Sequence, residues 1–284
     1  MASAIDRSST AGRVGRVVFT VIWSLMVALP LYYLVLTSFR TQGGYLTSNP
    51  WLPTGQLTLG QYRSVISQGF FRYFLNSAIV TVAAVALTLA VSVLAAHRVV
   101  LNRTRLSRAT FRYLLIGLAV PVQALMIPVF VVIDNAHLYD TLAALILTGV
   151  AFSIPVSVLI LVNFLREVPA ELTEAMQIDG ATDRQVLLRL VLPLSRPALI
   201  MLAVYDGLVN WNNFVLPLVL TTSPAVRVLP LELFSFETEF GVNVPGVLAS
   251  VVLATLPMVL AFVFGYRYIV RGLGAGLSGG GAFR

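Results

Sequence analysis

Six long apolar runs dominate the sequence, over about residues 17–39, 75–96, 113–133, 141–165, 197–220 and 246–270. At 1.5 Å per residue, each is long enough to cross a hydrocarbon core of about 30 Å as a helix. Inside lipid no water is present to satisfy the backbone, so runs of this length become helices. The expected fold is all-α, a polytopic membrane protein with six transmembrane helices. Charge content agrees. Only 11% of residues are charged, against about 25% in soluble domains, whose surfaces need them. No polar stretch is long enough to fold separately. Residues 17–271 therefore read as one transmembrane domain, after a polar segment 1–16 and before a Gly-rich, flexible tail 272–284.

Arg13 and Arg16 precede the first run. That run is longer than a signal-peptide core and no small-residue cleavage site closes it, so it reads as a retained span. Pro30, Pro121, Pro128, Pro155, Pro217 and Pro257 fall inside runs, where kinks are expected. The segment from Thr41 to Phe74 is rich in turn-forming residues. Tyr32, Tyr33, Tyr266 and Tyr268 read as interfacial belt residues.

All 19 basic residues are arginine. With the N-terminus in the cytoplasm, 15 of them fall on the cytoplasmic side; Arg40, Arg63, Arg72 and Arg227 fall outside. The positive-inside bias therefore places both termini in the cytoplasm. Arginines scattered among loops do not form a nucleic-acid face. A phosphate-binding loop of the Walker type needs a lysine, so any ATP hydrolysis of that type, with its Mg²⁺, must belong to a partner chain, and no cofactor is expected on this one. The chain has no cysteine, and His97 and His137 lie in loops expected on opposite sides of the membrane. No metal site and no catalytic constellation is expected.

The loop 166–196 carries the most specific signal. A simple connection needs about 2–8 residues. This one is patterned as a helix-turn-helix. Pro169 and Glu171 suit a helix start, and Leu172, Ala175 and Met176 share a face. Asp179-Gly180 stops the helix. Thr182 and Gln185 form a capping box for a second short helix, which Leu192-Pro193 is expected to end. An element held outside the membrane in this way suits either docking to a partner or lying on the lipid.

In the fifth run, Asp206, Asn210 and Asn213 are spaced to share one helical face. They suit either a polar lining for a solute pathway or a polar helix–helix contact. Trp211 suits packing or stacking on a solute ring. Gln123, near Pro121, is a weaker pathway candidate.

The segment Glu174-Ala175-Met176, three residues, Gly180, nine residues, Leu190, one residue, Leu192-Pro193 resembles the hallmark of ABC importer permeases. Met176 and Leu190 depart from the family's Ala and Ile, and the bulkier Met176 bears on the fit to a partner. Ile178-Asp179-Gly180-Ala181 is similar to the carbohydrate-uptake branch. Asn76-Ser77, Trp211-Asn212 and Arg271 to Gly276 extend a likeness to maltose-type permeases. The family's frequent terminal Lys-Gly is missing.

The resemblance implies a non-enzymatic permease subunit in the bacterial cell membrane. It implies a second homologous permease, a cytoplasmic ABC ATPase dimer, an external solute-binding protein, a sugar-like substrate and surrounding lipid as partners. Glu174, Ala175, Met176, Asp179, Gly180, Ala181, Leu190, Leu192 and Pro193 would form the coupling element. The loop 221–245 and the segment before the second run would meet the binding protein. The rivals are a stand-alone secondary transporter and a membrane-embedded enzyme. Intramembrane charge pairs or a His or Ser–His constellation would mark these, and neither is evident.

Overall fold

The computed structural model describes residues 10–54, 56–101, 104–232, 237–238 and 241–278. Its helices are α1 (Thr10–Ser38), α2 (Gln42–Thr47), α3 (Gly60–Ser67), α4 (Phe70–Leu101), α5 (Arg105–Gly117), α6 (Met126–Asn135), α7 (Leu142–Arg166), α8 (Ala170–Ile178), α9 (Asp183–Val186), α10 (Leu192–Trp211), α11 (Val215–Leu220), α12 (Leu229–Glu232) and α13 (Val244–Ser278). The all-α expectation holds. A two-residue antiparallel pair, β1 (Glu237–Thr238) with β2 (Gly241–Val242), is a local hairpin.

The helices divide between two compact units. The first holds residues 1–69 and 233–253. Residues 14 to 32 of α1 are exposed throughout, as a helix surrounded by lipid or by another chain would be. Beyond α1, Arg40 is fully buried and donates to the carbonyls of Asn49 and Leu52. Gln42 donates to the Val242 carbonyl at 3.1 Å and Asn243 to Gln61 at 3.1 Å. The segment expected to be turns thus contains α2 and α3. Gly69, at φ +107°, separates α3 from α4, a conformation that favours glycine.

The second unit holds residues 70–232 and 254–284. Its centre is α4 against α7, with α10 packed on both. Two apolar clusters fill this three-helix core. One joins Val93, Val158, Leu161, Val186 and Leu202; the other joins Val80, Leu145, Leu216 and Leu231. Helix ends gather accordingly. Arg98 pairs with Asp183 at 3.1 Å and Arg166 lies over the Phe111 ring. At the opposite ends, Asn76 donates to the carbonyls of Ala225 and Arg227, and Asp140 accepts from the backbone N–H groups of Thr222 and Ser223.

Several expected boundaries move. Four helices among the described residues are long and apolar enough to cross a membrane, Val14–Ser38, Phe70–Leu101, Leu142–Arg166 and Asp183–Trp211. The second and fourth expected spans are single helices, and the fourth matches within a residue. The third is not one helix. It bends by 97° between Arg105–Gly117 and Val122–Asn135. Pro121 has extended backbone at the break; a proline disfavours helix in the residue before it.

The fifth expected span is also broken, because α10 stops at Trp211 and α11 begins at Val215. Pro217 cannot donate to the carbonyl four residues back, that of Asn213, and its ring crowds it. Asn213 therefore leaves the face of Asp206 and Asn210. Its side chain instead accepts from the Leu216 N–H at 3.4 Å, where α11 starts.

Leu192-Pro193 does not end the hairpin's second helix either. A π-helical turn, Leu187–Val191, carries α9 into α10. Its wider bonding, with the Leu192 N–H on the Leu187 carbonyl, accommodates the proline ring that an α-helix would clash with. Helix α1 starts at Thr10, within the segment expected to be polar, and α13 continues through the expected flexible tail to Ser278. No proline interrupts either stretch, and each glycine costs a helix only about 1 kcal/mol. The side chains of Tyr266 and Tyr268 lie outside the described residues.

Candidate functional site: the hairpin and the polar layer

Helix α8 begins after Pro169, with Glu171 in its first turn. It ends in a complete Schellman closure. The Gly180 N–H reaches the Gln177 carbonyl at 3.0 Å, and the Ala181 N–H reaches Met176 at 2.9 Å. Gly180 has φ +82°, and a Cβ there would meet nothing within 4 Å. Glycine is therefore required by backbone conformation and not by space. Gly180→Ala should cost about 1–2 kcal/mol, and Gly180→Asn less. Thermal unfolding of the two variants in detergent checks the order; equal stability of wild type and Gly180→Ala would contradict it.

The capping box is present, with Thr182 N–H on Gln185 Oε1 at 2.7 Å and Gln185 N–H on Thr182 Oγ1 at 3.4 Å. Val186 is fully buried, and Met176, Ala181, Leu187 and Leu190 pack against the same apolar cluster as α4 and α7. The hairpin is thus rooted in the three-helix core. Asp183, at its turn, is tied to Arg98 of α4.

This rooting sets the phase of α8. Met176, expected on the face with Leu172 and Ala175, turns inward instead. Its bulk fills the chain's own core. At 100° per residue the outward apolar face is Leu172, Ala175 and Ile178. Leu172 is 46% exposed and Ile178 is 85% exposed. In the sequence Ile178 stands out only as part of the Ile178-Asp179-Gly180-Ala181 signature. A large exposed aliphatic side chain on an ordered hairpin is its structural signal. Asp179 caps α8, and Leu192 and Pro193 lie at the start of α10.

The second constellation is a polar layer between the two apolar clusters. Asp206 is fully buried and accepts from Ser157 Oγ of α7 at 2.8 Å. Asn210 donates to the Asp206 carbonyl at 2.9 Å and to Ser153 Oγ at 3.4 Å. A Cβ on Gly149 would come within 2.3 Å of Asn210 Oδ1 and 3.4 Å of Ala84 Cβ. Gly149 is therefore a notch that receives Asn210 where α4, α7 and α10 meet. Asp206 Oδ1 has no hydrogen-bond partner among the described residues.

Trp211 donates to the Ala254 carbonyl at 3.1 Å and meets Phe74 edge-on at 5.7 Å. With Asn210 and Asn213 it lines an internal space of about 10 Å³, room for roughly one water. Gln123 is exposed on the other broken span. The structure thus ties Asp206 and Asn210 to α7, keeps Asn213 near Asn210 only at the small internal space, and sets Gln123 apart.

At the opposite end, Glu232 is buried and Oε1 has no partner among the described residues. Burial pushes its carboxyl up to about 7, above the ordinary value of about 4.3. The folded state then holds the proton more tightly than the unfolded one. Stability should fall as pH rises from about 4 towards about 7 and be level above. Glu232→Gln should remove that slope, read as unfolding temperature at acid and alkaline pH. A slope that survives in Glu232→Gln would reject this assignment.

Comparison with known proteins places these features in context. Residues 88–274 match the model of the family described as binding-protein-dependent transport system inner membrane component. The chain is 38% identical over 259 residues to a putative ABC transporter permease protein of Caldicellulosiruptor sp. (strain Rt8B.4), covering 91% of this chain and 94% of that one. It is 30% identical to a diacetylchitobiose uptake system permease protein of Streptomyces coelicolor, covering 95% and 98%. Its fold is similar to a chain of a bacterial ABC transporter involved in the import of alginate, with a TM-score of 0.81 and 22% identity over 93% and 99% of the two chains.

Proposed function

Because the chain belongs to the family of binding-protein-dependent transport system inner membrane components, we propose that it is one permease subunit of an ATP-driven importer for an oligosaccharide-like solute. It is a multi-pass transport subunit and not an enzyme. ATP hydrolysis, with its Mg²⁺, falls to a partner ATPase. A solute-binding protein delivers the substrate from outside, and a second, homologous permease completes the pathway. The similarity to a diacetylchitobiose permease over nearly the whole of both chains supports the sugar class.

The observation that carries the coupling assignment is the exposed face of α8. Leu172, Ala175 and Ile178 present bare apolar surface on a hairpin rooted in the three-helix core. An amphipathic helix with anchors at this spacing suits a groove on a partner. Movement of that groove would be passed to α4, α7 and α10 through Val186, Met176 and the Arg98–Asp183 pair. Glu174 to Ala181 form the contact, and Leu190, Leu192 and Pro193 carry it into α10. The arginine bias supports a cytoplasmic hairpin and cytoplasmic termini. The polar layer at Asp206 and Asn210 supports the helix-contact reading of those residues, and the packing of Trp211 fits that role. Asn213 and Gln123, beside the two helix breaks, become the better pathway candidates, since broken helices are where transporters build sites.

The test is uptake of labelled chito- and arabino-oligosaccharides into proteoliposomes holding this chain with the products of its neighbouring genes. ATP-dependent uptake that requires the binding protein is expected. Uptake that proceeds without any ATPase would replace this reading with a stand-alone transporter.

A further inference from the structure

The loop after α2 folds back onto α1. Tyr32 Oη donates to the Trp51 carbonyl at 2.9 Å, and the Tyr33 and Trp51 rings meet at 5.6 Å. Arg40, fully buried just beyond α1, donates to the carbonyls of Asn49 and Leu52. The loop is thus held at two heights, by Arg40 past the end of α1 at Ser38 and by Tyr32 about 9 Å before that end. Depth follows from the span. A hydrocarbon core of about 30 Å takes about 20 residues of helix. Counted from Val17, the first apolar residue after Arg16, it ends near Leu36. Tyr32 then lies about 6 Å inside that edge, and helical side chains lean back towards the N-terminus, away from the edge. The Trp51 backbone is therefore drawn to the level of the lipid around α1.

Backbone at that depth must have its polar groups satisfied by protein, because lipid offers them nothing. The loop meets this condition. Its carbonyls at Asn49, Trp51 and Leu52 each accept from a protein donor. The Trp51 N–H donates to Asn49 Oδ1 at 2.9 Å, and the Thr54 N–H to the Leu52 carbonyl at 2.7 Å. Pro50 and Pro53 have no N–H to satisfy. On an ordinary external loop water would serve these carbonyls; here an arginine and a tyrosine do. What the loop leaves bare is apolar, since the Trp51 and Leu52 side chains are 50% and 51% exposed.

We propose that residues 49–53 form an interfacial anchor that seats Trp51 and Leu52 in the outer leaflet, where headgroups meet acyl chains. Membrane lipid is the occupant of this surface, continuous with the lipid along the exposed face of α1. Tryptophan suits the position, with an apolar body for the acyl chains and an N–H for the headgroups. Arg40 and Tyr32 are the clamps that hold the loop at this depth. The anchor itself is independent of the importer reading; only the choice of leaflet rests on the orientation given above.

The test uses the full chain, which has no cysteine, in phospholipid nanodiscs. A nitroxide is placed at Leu52→Cys or, as a lipid reference, at Leu25→Cys on the exposed face of α1. Electron paramagnetic resonance reads its collisions with oxygen, which concentrates in lipid, against those with a water-soluble nickel chelate. Leu52→Cys should follow Leu25→Cys, with oxygen collisions exceeding nickel collisions. Tyr32→Phe, which removes one hydroxyl, should raise the nickel collisions at residue 52 as the freed Trp51 carbonyl turns to water, and Arg40→Gln should raise them further. Adding the other subunits and the solute-binding protein should leave the residue 52 spectrum unchanged. Nickel collisions in excess at residue 52, shielding from both reagents, a spectrum that changes when the other proteins are added, or indifference to Tyr32→Phe would each overturn the proposal. Both faces of a nanodisc are open to the chelate, so neither a reversed orientation nor the loss of the ATPase assignment would imitate these failures.

Discussion

Ile178→Asp should strip the partner ATPase from the purified complex while leaving the permease folded. The side chain is 85% exposed, so within this chain it stabilises little, and surface changes of this kind stay within about 0.5 kcal/mol. Buried in a groove, an isoleucine contributes about 1.5–3 kcal/mol, and a carboxylate in its place adds a desolvation cost. A loss of at least 2 kcal/mol corresponds to roughly thirtyfold weaker association. Ile178→Ala should lie between wild type and Ile178→Asp. Met176→Ala should behave differently. Met176 packs on the chain's own core, so its loss lowers the unfolding temperature first. Co-purification of the ATPase with Ile178→Asp at the wild-type level would remove α8's outward face from the coupling scheme.

The second large effect belongs to Gly149. The three central helices approach closely because Asn210 Oδ1 occupies the place of a Cβ. Gly149→Ala must push Asn210 aside, and overpacking of this kind costs about 1–3 kcal/mol. Gly149→Leu should prevent the packing of α7 against α10 altogether. Asn210→Ala in the Gly149→Ala background frees the space and should recover most of the loss, which double-variant thermal unfolding in detergent reads. If Gly149→Ala is as stable as wild type, the notch does not hold the helices in register.

Much of this was legible in the residues because the physics acts locally. The fourth span is apolar, bounded by Thr141 as its cap and Arg166 at its end, and appears within a residue of its expected limits. The capping box and the Gly180 turn depend on single side chains and one dihedral, and both appear as expected. The breaks at Pro121 and Pro217 were not legible. Hydropathy runs through them unchanged, and Pro30, Pro155 and Pro257 sit inside continuous helices. Whether a proline kinks or breaks a helix depends on what satisfies the freed carbonyl, which is tertiary. The phase of α8 was hidden for a related reason. Met176 and Ile178 are both apolar, and only the packing of the hairpin root on Val186 decides which one is left bare. Gly149 carried no signal of its own, since its meaning lies in Asn210, far along the chain.

The central claim is that residues 170–180 of this chain contact an ATPase on the side of the membrane opposite to Arg227. The chain has no cysteine, so single-cysteine variants report without background. Ala175→Cys and Arg227→Cys, each assembled with the neighbouring gene products and treated with a short thiol–amine cross-linker, give the most direct reading. A covalent adduct between Ala175→Cys and the ATPase, with none from Arg227→Cys, is predicted. An ATPase adduct from Arg227→Cys, or none from Ala175→Cys in an assembly that retains the ATPase, would contradict the account.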